Sequence, residues 1–319
     1  MEIGGYLEFP RFVGKMLHEN AIALNSARNG LAYLIEAKKI REIALPKFLC
    51  ASVGEICNKY GVQVHYYTIG KDFLPDGLNL ENGECLYLVN YYGQIDNQKI
   101  EEIKKSHDKL IVDNVQAYFQ MPVQNTDTIY TCRKFFGVPD GAFLYTDIPI
   151  SRTLEQDRSA KRMTHLLGRF EESGSEYYAA YAENESIFES LPLRTMSKIT
   201  ENLLRGIDYQ GAKAVRERNF IFLDKVFSSL NKLSLKIPEG AFMYPLYVPD
   251  GVKMRKELQN RKIYIPTLWP DVFDLCAETE WEYDMARNIL PLPCDQRYNM
   301  DAMEFLVKEV LNCLQRESV

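Results

Sequence analysis

Short apolar runs alternate with helical patterns through the first half of the chain. Residues 42–45 read as a strand and 52–60 as a helix. In 62–67, Val62, Val64 and Tyr66 alternate with Gln63 and His65, the period of a second strand. Cys85–Val89 is a third strand and the polar stretch Asn97–Ser106 a helix. Leu110–Asp113 is a fourth strand, and 128–130 and Ala142–Tyr145 are two more. Strand, helix, strand repetition predicts an α/β fold whose mostly parallel sheet is flanked by helices. Ligands in such sheets sit beyond the carboxyl ends of the strands, which is where Asp113 falls.

The texture changes near residue 154. Charged helical stretches run to 184, with Gly174 as a break, and 208–233 reads as one long helix striped by Val215, Phe220, Leu223, Val226 and Phe227. A smaller α/β pattern follows: a strand at 241–248, a helix at 252–260 and a strand at 263–265. Ile289–Pro293 then leads into a last helix at 300–314. The reading is a large domain, 1–207, and a smaller C-terminal α/β domain, 208–319. No Pro/Gly/Ser-rich linker separates them, so tight packing is expected.

Composition narrows the partners. The 319 residues are 46% hydrophobic and 26% charged, with net charge −6 and no run of Lys or Arg. That balance argues against nucleic acid or an anionic membrane as partner. Seven cysteines without a C-x-x-C pair suggest neither a zinc site nor a disulfide framework, and the four histidines are far apart, so no metal is expected. Met-Glu-Ile-Gly-Gly has no leader pattern, and no apolar run approaches the ~20 residues of a membrane span. A cytoplasmic location is expected.

Three segments carry candidate chemistry. Leu24-Asn25-Ser26-Ala27-Arg28-Asn29-Gly30-Leu31 puts small and polar residues at a helix start, where free N–H groups and the helix dipole favour an anion such as phosphate. An ordinary cap by Ser26 or Asn25 reads the same way. Asp113 with Gln116 follows a strand, and an acid there also simply caps a turn. Lys134 lies between Arg133 and Phe135-Phe136, ahead of Pro139-Asp140-Gly141. It is either a solvated surface lysine or an amine whose apolar surroundings weaken its hold on a proton and make it nucleophilic. A lysine that forms a Schiff base, with a carboxylate that keeps a pyridine nitrogen protonated, is the pair a pyridoxal 5'-phosphate (PLP) enzyme needs.

Asn-Ser-Ala-Arg-Asn-Gly-Leu (25–31), Asp-x-x-Gln-Ala (113–117) and Lys-x₅-Asp-Gly-Ala (134–142) together resemble the cofactor motifs of the DegT/DnrJ-type sugar aminotransferases. Asn90-Tyr-Tyr-Gly93, Leu45-Pro46 and Leu290-Pro-Leu-Pro293 fit the same pattern. The resemblance implies PLP fold type I and roles for individual residues. Lys134 would form the internal aldimine and shuttle a proton, Asp113 would pair with the pyridinium nitrogen, and Gln116 would bond the ring hydroxyl. The N–H groups of Ala27, Arg28 and Asn29 would hold the phosphate, with Arg28 adding a charged contact. It further implies transfer of an amino group from an amino acid, glutamate, to a keto-sugar that is nucleotide-linked. The partner would be a second copy, in a homodimer with shared sites, and Arg194 in Leu193-Arg-Thr-Met-Ser197 a candidate crossing residue.

The chain departs from that pattern in places. Cys50 stands near the family's ring-stacking aromatic, with Phe48 two residues earlier. Ile129 occupies the place of a phosphate-binding serine, leaving Thr131 as the nearest hydroxyl, and Ala142 replaces a second glycine. These changes leave open an aminotransferase-like protein that binds PLP or a sugar nucleotide with little turnover. A lyase or desulfurase using Cys50 or Cys132 is a third reading. Trp269-Pro270 reads as a substrate-side loop.

Overall fold

The computed structural model describes residues 3–80 and 83–315; Met1 and Glu2, read above for a leader, lie outside the described residues. In chain order the first half holds β1 (Ile22–Leu24), α1 (Ala27–Lys38), β2 (Glu42–Pro46), α2 (Ala51–Lys59), β3 (Gln63–Ile69), β4 (Pro75–Asp76), β5 (Cys85–Val89), α3 (Asn97–Ser106), β6 (Leu110–Asp113), β7 (Asp127–Thr131) and β8 (Ala142–Tyr145). There follow α4 (Thr164–Glu171), α5 (Tyr178–Ser190), α6 (Lys198–Leu204), α7 (Tyr209–Phe227), β9 (Met243–Tyr247), α8 (Gly251–Asn260), α9 (Val272–Leu275), α10 (Trp281–Asn288), β10 (Ile289–Pro293) and α11 (Met300–Gln315).

The first eight strands form one sheet in the order β1-β8-β7-β6-β5-β2-β3-β4. β3, β2, β5, β6 and β7 run parallel. β8 is antiparallel to both β7 and β1, so β1 points the same way as the parallel set. Every residue of β5 and β7 is buried, as in a sheet covered on both faces. The carboxyl ends of β1, β2, β5, β6 and β7 therefore share one edge, and β2 pairs with β3 on one side and β5 on the other, a reversal of chain order of the kind that opens a crevice for ligands. Just past those ends lie the start of α1, Cys50, Asn90–Gly93, Asp113 and Lys134.

Two glycines let this edge close up. Gly30 brings α1 onto β7, where a Cβ would lie 3.1 Å from Ile129 Cγ2. Gly141 ends the loop after β7 at φ +118°, a left-handed conformation, and its N–H donates to the Asn25 carbonyl at 2.8 Å. Its neighbour Asp140 is fully buried and accepts from the Ser197 N–H at 2.9 Å and from the Ser197 hydroxyl at 2.7 Å, with a further bond from the Thr200 hydroxyl. The loop that carries Lys134 is thus fastened to the first turn of α6.

β9 and β10 pair antiparallel as a second, two-stranded sheet, and Phe220, Leu223 and Phe227 of α7 pack with Leu246, Leu290 and Leu292 in a second core. Pro245 and Pro291 face each other in that ladder, where no neighbouring strand requires their missing donors. The helix expected over 208–233 is shorter: Asp208 caps α7 through the Gly211 N–H at 2.9 Å, and the chain leaves the helix after Phe227. Beyond that point the Asn231 side chain binds the Pro245 carbonyl at 2.9 Å and the Tyr247 N–H at 3.0 Å, which holds 228–231 against β9. Residues 154–163 form only a short 3₁₀ turn at Ala160–Arg162 rather than a helix, while Gly174 does fall between α4 and α5. The strand expected at 263–265 is absent among the described residues; Lys262 turns at φ +61° and β9 pairs with β10 instead.

Gly141→Ala tests the geometry of the lysine loop. A Cβ there would sit 2.4 Å from Cys132 Sγ and 2.9 Å from Thr200 Cγ2 on a backbone that disfavours any side chain. A loss of about 2 kcal/mol or more in urea unfolding is expected, and an unchanged midpoint would contradict the described turn.

Candidate active site

Lys134 follows β7 in a tight turn, in which the Cys132 carbonyl accepts from the N–H groups of Phe135 at 3.0 Å and Phe136 at 2.8 Å. Its side chain projects into open space that solvent reaches, yet the protein around it is dense enough to desolvate the amine. Nζ lies 5.6 Å from the centre of the Phe242 ring. Burial lowers the Lys134 pKa, opposed by attraction to Asp113 and Cys50 and reinforced by repulsion from Arg133.

Asp113 ends β6 and is 4% exposed. Its two oxygens have different partners: Oδ1 accepts from the Val115 N–H at 3.0 Å and Oδ2 from the Tyr87 hydroxyl at 2.8 Å. The acid therefore does cap its turn, and it does more than that. Burial raises its pKa, while Lys134, the Val115 N–H and Tyr87 pull it back down. β6 and β7 are parallel neighbours, so Asp113 at the end of one and Lys134 just past the other lie at the same edge of the sheet, near enough for each charge to bear on the other.

Gln116 is buried, and its Oε1 accepts from the Tyr92 N–H at 2.8 Å, leaving Nε2 to donate elsewhere. That bond ties the loop after β6 to the turn after β5, where Tyr92 adopts φ 54°. Asn90 reinforces the same junction, donating to Asn114 Oδ1 at 3.0 Å and Gln120 Oε1 at 2.9 Å.

At the start of α1, Ser26 is the N-cap, and its hydroxyl accepts from the Asn29 N–H at 3.3 Å. The first-turn N–H groups of Ala27 and Arg28 have no helical acceptor, whereas that of Asn29 is taken by the cap. The Arg28 guanidinium turns to the Phe188 carbonyl at 3.1 Å, and the Thr131 hydroxyl donates to the Gly141 carbonyl at 3.3 Å. Arg194 pairs with Glu155 at 3.1 Å and with Asp157 at 3.8 Å in its own chain.

Of the two residues, Cys50 is exposed and Phe48 is not. Phe48 is fully buried, 4.4 Å from the Trp269 ring and 5.4 Å from Tyr91, as part of the core. Cys50 is exposed at the N-cap of α2 and accepts from the Ser52 hydroxyl at 3.2 Å. Asp271, two residues beyond Trp269, accepts from the Ala51 N–H at 3.0 Å, so this loop rests on the start of α2. Cys132 is fully buried and its thiol pKa is raised by that burial, which leaves it inert as a nucleophile.

Elsewhere, Cys276, Glu280 and Glu282 gather their ligand atoms within 4.8 Å of one another, but Lys47 pairs with Glu280 and the Ile69 N–H binds Glu282 at 2.9 Å. A groove of about 400 Å³ lined by Asp72, Gln94, Asp96, Lys99, Glu102 and Lys236 holds none of the candidate residues.

No protein-family model matches the chain, and neither does any curated protein sequence. Solved structures do. NtdA from Bacillus subtilis, solved with bound cofactor PMP, superposes with a TM-score of 0.67 at 12% identity over 92% of this chain and 73% of that one. A DegT DnrJ EryC1 StrS aminotransferase from Brucella abortus gives 0.62 at 12% identity, covering 92% and 85%. Helicobacter pylori PseC, an aminotransferase involved in the biosynthesis of pseudoaminic acid, gives 0.59 at 15% identity, covering 92% and 86%. The chain has PLP fold type I. In that type I frame, Lys134, Asp113, Gln116 and the start of α1 share the carboxyl edge of the large sheet.

Tyr87 and Phe242 were not legible as site residues. Tyr87 lies one strand over from Asp113 and 26 residues away, inside an apolar run that reads as core. Phe242 comes from the second half, just ahead of β9. Nothing local in the sequence marks either one.

A buried acid with a raised pKa is a stability statement. As pH rises, the unfolded chain releases that proton first, so the folded state loses stability between the unfolded and the folded pKa of Asp113. Asp113→Asn keeps one oxygen for the Val115 N–H, lets the Tyr87 hydroxyl turn to accept from Nδ2, and removes the penalty of burying a charge. Without cofactor it should melt above the wild type at about pH 8, with the gain vanishing below the ordinary carboxylate range near pH ~4. An equal or lower melting temperature at the higher pH would contradict the burial described.

Proposed function

We propose that this chain is a PLP-dependent aminotransferase of the DegT/DnrJ type, taking an amino group from an amino acid, glutamate, and giving it to a nucleotide-linked keto-sugar. The observation that carries the reading is the convergence of Asp113 at the end of β6, Lys134 just past β7 and the start of α1 on the carboxyl edge of the large sheet. The residues present fit the cofactor. A desolvated amine faces open space, a buried carboxylate lies within its field, and two N–H groups at the start of α1 have no helical acceptor. When bound, PLP supplies an electron-withdrawing ring that stabilises negative charge on the substrate carbon.

The chain's own residues would do the rest. Lowering of the Lys134 pKa enlarges the neutral fraction of the amine, which is the form that attacks a carbonyl and accepts a proton. Asp113, buried and pushed toward its neutral form, needs a cation to stay charged. The Lys134 ammonium is that cation in the free protein, and a protonated ring nitrogen would be one in the loaded protein. Tyr87 and the Val115 N–H fix the direction of the carboxylate. Ala27 and Arg28 N–H groups would take the phosphate, and Gln116 Nε2 is free to meet a ring substituent. Cys50 replaces an aromatic platform with a small soft group, so the ring would be held mainly by its polar ends.

A homodimer belongs to this reading. Ile3, Tyr6, Leu7 and Val13 are each more than 90% exposed in an N-terminal arm, apolar surface that fits burial against a second copy. Cytoplasmic action fits seven cysteines that are all unpaired. The division near residue 207 would give a cofactor-binding part and a smaller part closing on it.

The test is borohydride reduction with PLP, followed by peptide mass spectrometry and a donor and acceptor screen. Cofactor mass on Lys134 in the wild type is expected, none in Lys134→Ala, and a loss of turnover in that variant of about 10²–10⁴-fold. Labelling elsewhere, or none, would reject the proposal. Labelling on Lys134 without turnover on any donor would favour the binding-protein alternative that the Cys50 and Thr131 departures motivate.

A further inference from the structure

We infer that Arg216 and Gln296, from the second half of the chain, are positioning residues for the Lys134 amine, acting through the peptide carbonyl of Phe135. The inference rests on the proposed role of Lys134 as the reactive amine.

The Phe135 carbonyl, one residue past Lys134, accepts from Arg216 Nη2 at 3.1 Å and from Gln296 Nε2 at 2.8 Å. Arg216 Nε in turn donates to Gln296 Oε1 at 2.6 Å, which closes the three groups into a ring of hydrogen bonds. Arg216 Nη1 donates to the Ala241 carbonyl at 2.8 Å and the Phe242 carbonyl at 3.4 Å. The guanidinium also lies over the Phe135 ring, 4.6 Å from its centre. One side chain therefore fixes both the residue after the lysine and Phe242, the residue whose ring its amine faces at 5.6 Å.

The composition of this junction is costly if stability were its only purpose. Arg216 is 1% exposed, and its described acceptors are neutral: three carbonyls and an amide. Burial pushes its pKa down to about 10, so it still carries its charge at neutral pH. Asp295 lends attraction from nearby but makes no hydrogen bond to the guanidinium, and a buried cation so placed is normally outperformed by a well-packed apolar side chain. What an apolar side chain lacks is the planar fork that spans several fixed acceptors at once. The titratable and charged groups that bear on the Lys134 amine are Asp113 from the end of β6, the Cys50 thiol from the start of α2 and Arg133 from its own turn. Holding the turn from behind keeps the amine among them, and misplacement of a reacting group by about 1 Å can cost about 10²-fold in rate.

The experiment uses the cofactor-free protein, so it does not depend on PLP. Trace labelling with acetic anhydride across pH, read at Lys134 by peptide mass spectrometry with exposed Lys39 and Lys256 as internal references, gives the titration midpoint of that one amine. The wild-type midpoint should lie below the references. Arg216→Met and Gln296→Leu should each raise it by about one pH unit, about tenfold less labelling at a fixed pH below the midpoint, with cooperative melting retained. Arg216→Lys should behave like Arg216→Met, because a single ammonium lacks the fork. Wild-type midpoints in folded Arg216→Met and Gln296→Leu proteins would overturn the inference, and if Arg216→Met does not fold, Gln296→Leu alone decides. The two proposals fail separately. Cofactor attached to Lys134 with unmoved midpoints rejects only the clamp, and absence of attachment with moved midpoints rejects only the aminotransferase.

Discussion

Burial acts in opposite senses on the two groups at the centre of this site, raising the Asp113 pKa and lowering that of Lys134, and each group is the other's partial remedy. Without the other, each would give way more readily to its neutral form. The rest of the edge is arranged around that constraint. β6 and β7 are neighbours in the sheet, which brings their following loops together. Tyr87 reaches across from β5 to hold one carboxylate oxygen, and the Val115 N–H holds the other. Asp140 and Gly141 return the lysine loop to α6 and β1 so that it cannot swing away.

The second half of the chain is part of the same arrangement. Arg216 and Gln296 meet the lysine turn from behind, Phe242 meets the amine from the side, and Trp269 with Asp271 rests on the start of α2 beside Cys50. Such contacts make the geometry of the reactive amine depend on how the two halves sit together. A change in that packing would be felt first at Phe135, whose carbonyl both donors share.

Much of the fold was legible from local pattern. β5, β6, β8 and α3 lie where their apolar runs or polar helix pattern put them, because periodicity and length decide such elements within a few residues. β1 was not foreseen: three residues are too few to show a period, and its place in the sheet depends on pairing with β8, some 120 residues away. The run at 263–265 looked like a strand from its β-branched residues, but strand identity requires a partner, and β9 pairs with β10. At the site, Asp113, Lys134 and the start of α1 stood out because each is placed by its own short motif. Tyr87, Phe242, Arg216 and Gln296 did not, since only the folded sheet and the packing of α7 bring them near. The engagement of the Asn29 N–H by Ser26, and of Arg28 by Phe188, depends on side-chain choices that spacing alone leaves open.

The most direct check of the account is a crystal structure of the protein grown with PLP. Continuous density from Lys134 Nζ to the cofactor, with the ring nitrogen within hydrogen-bond distance of Asp113 and the phosphate at the N–H groups of Ala27 and Arg28, is the result predicted. A cofactor seated elsewhere, or one whose ring nitrogen faces no carboxylate, would contradict the claim that these residues form one site.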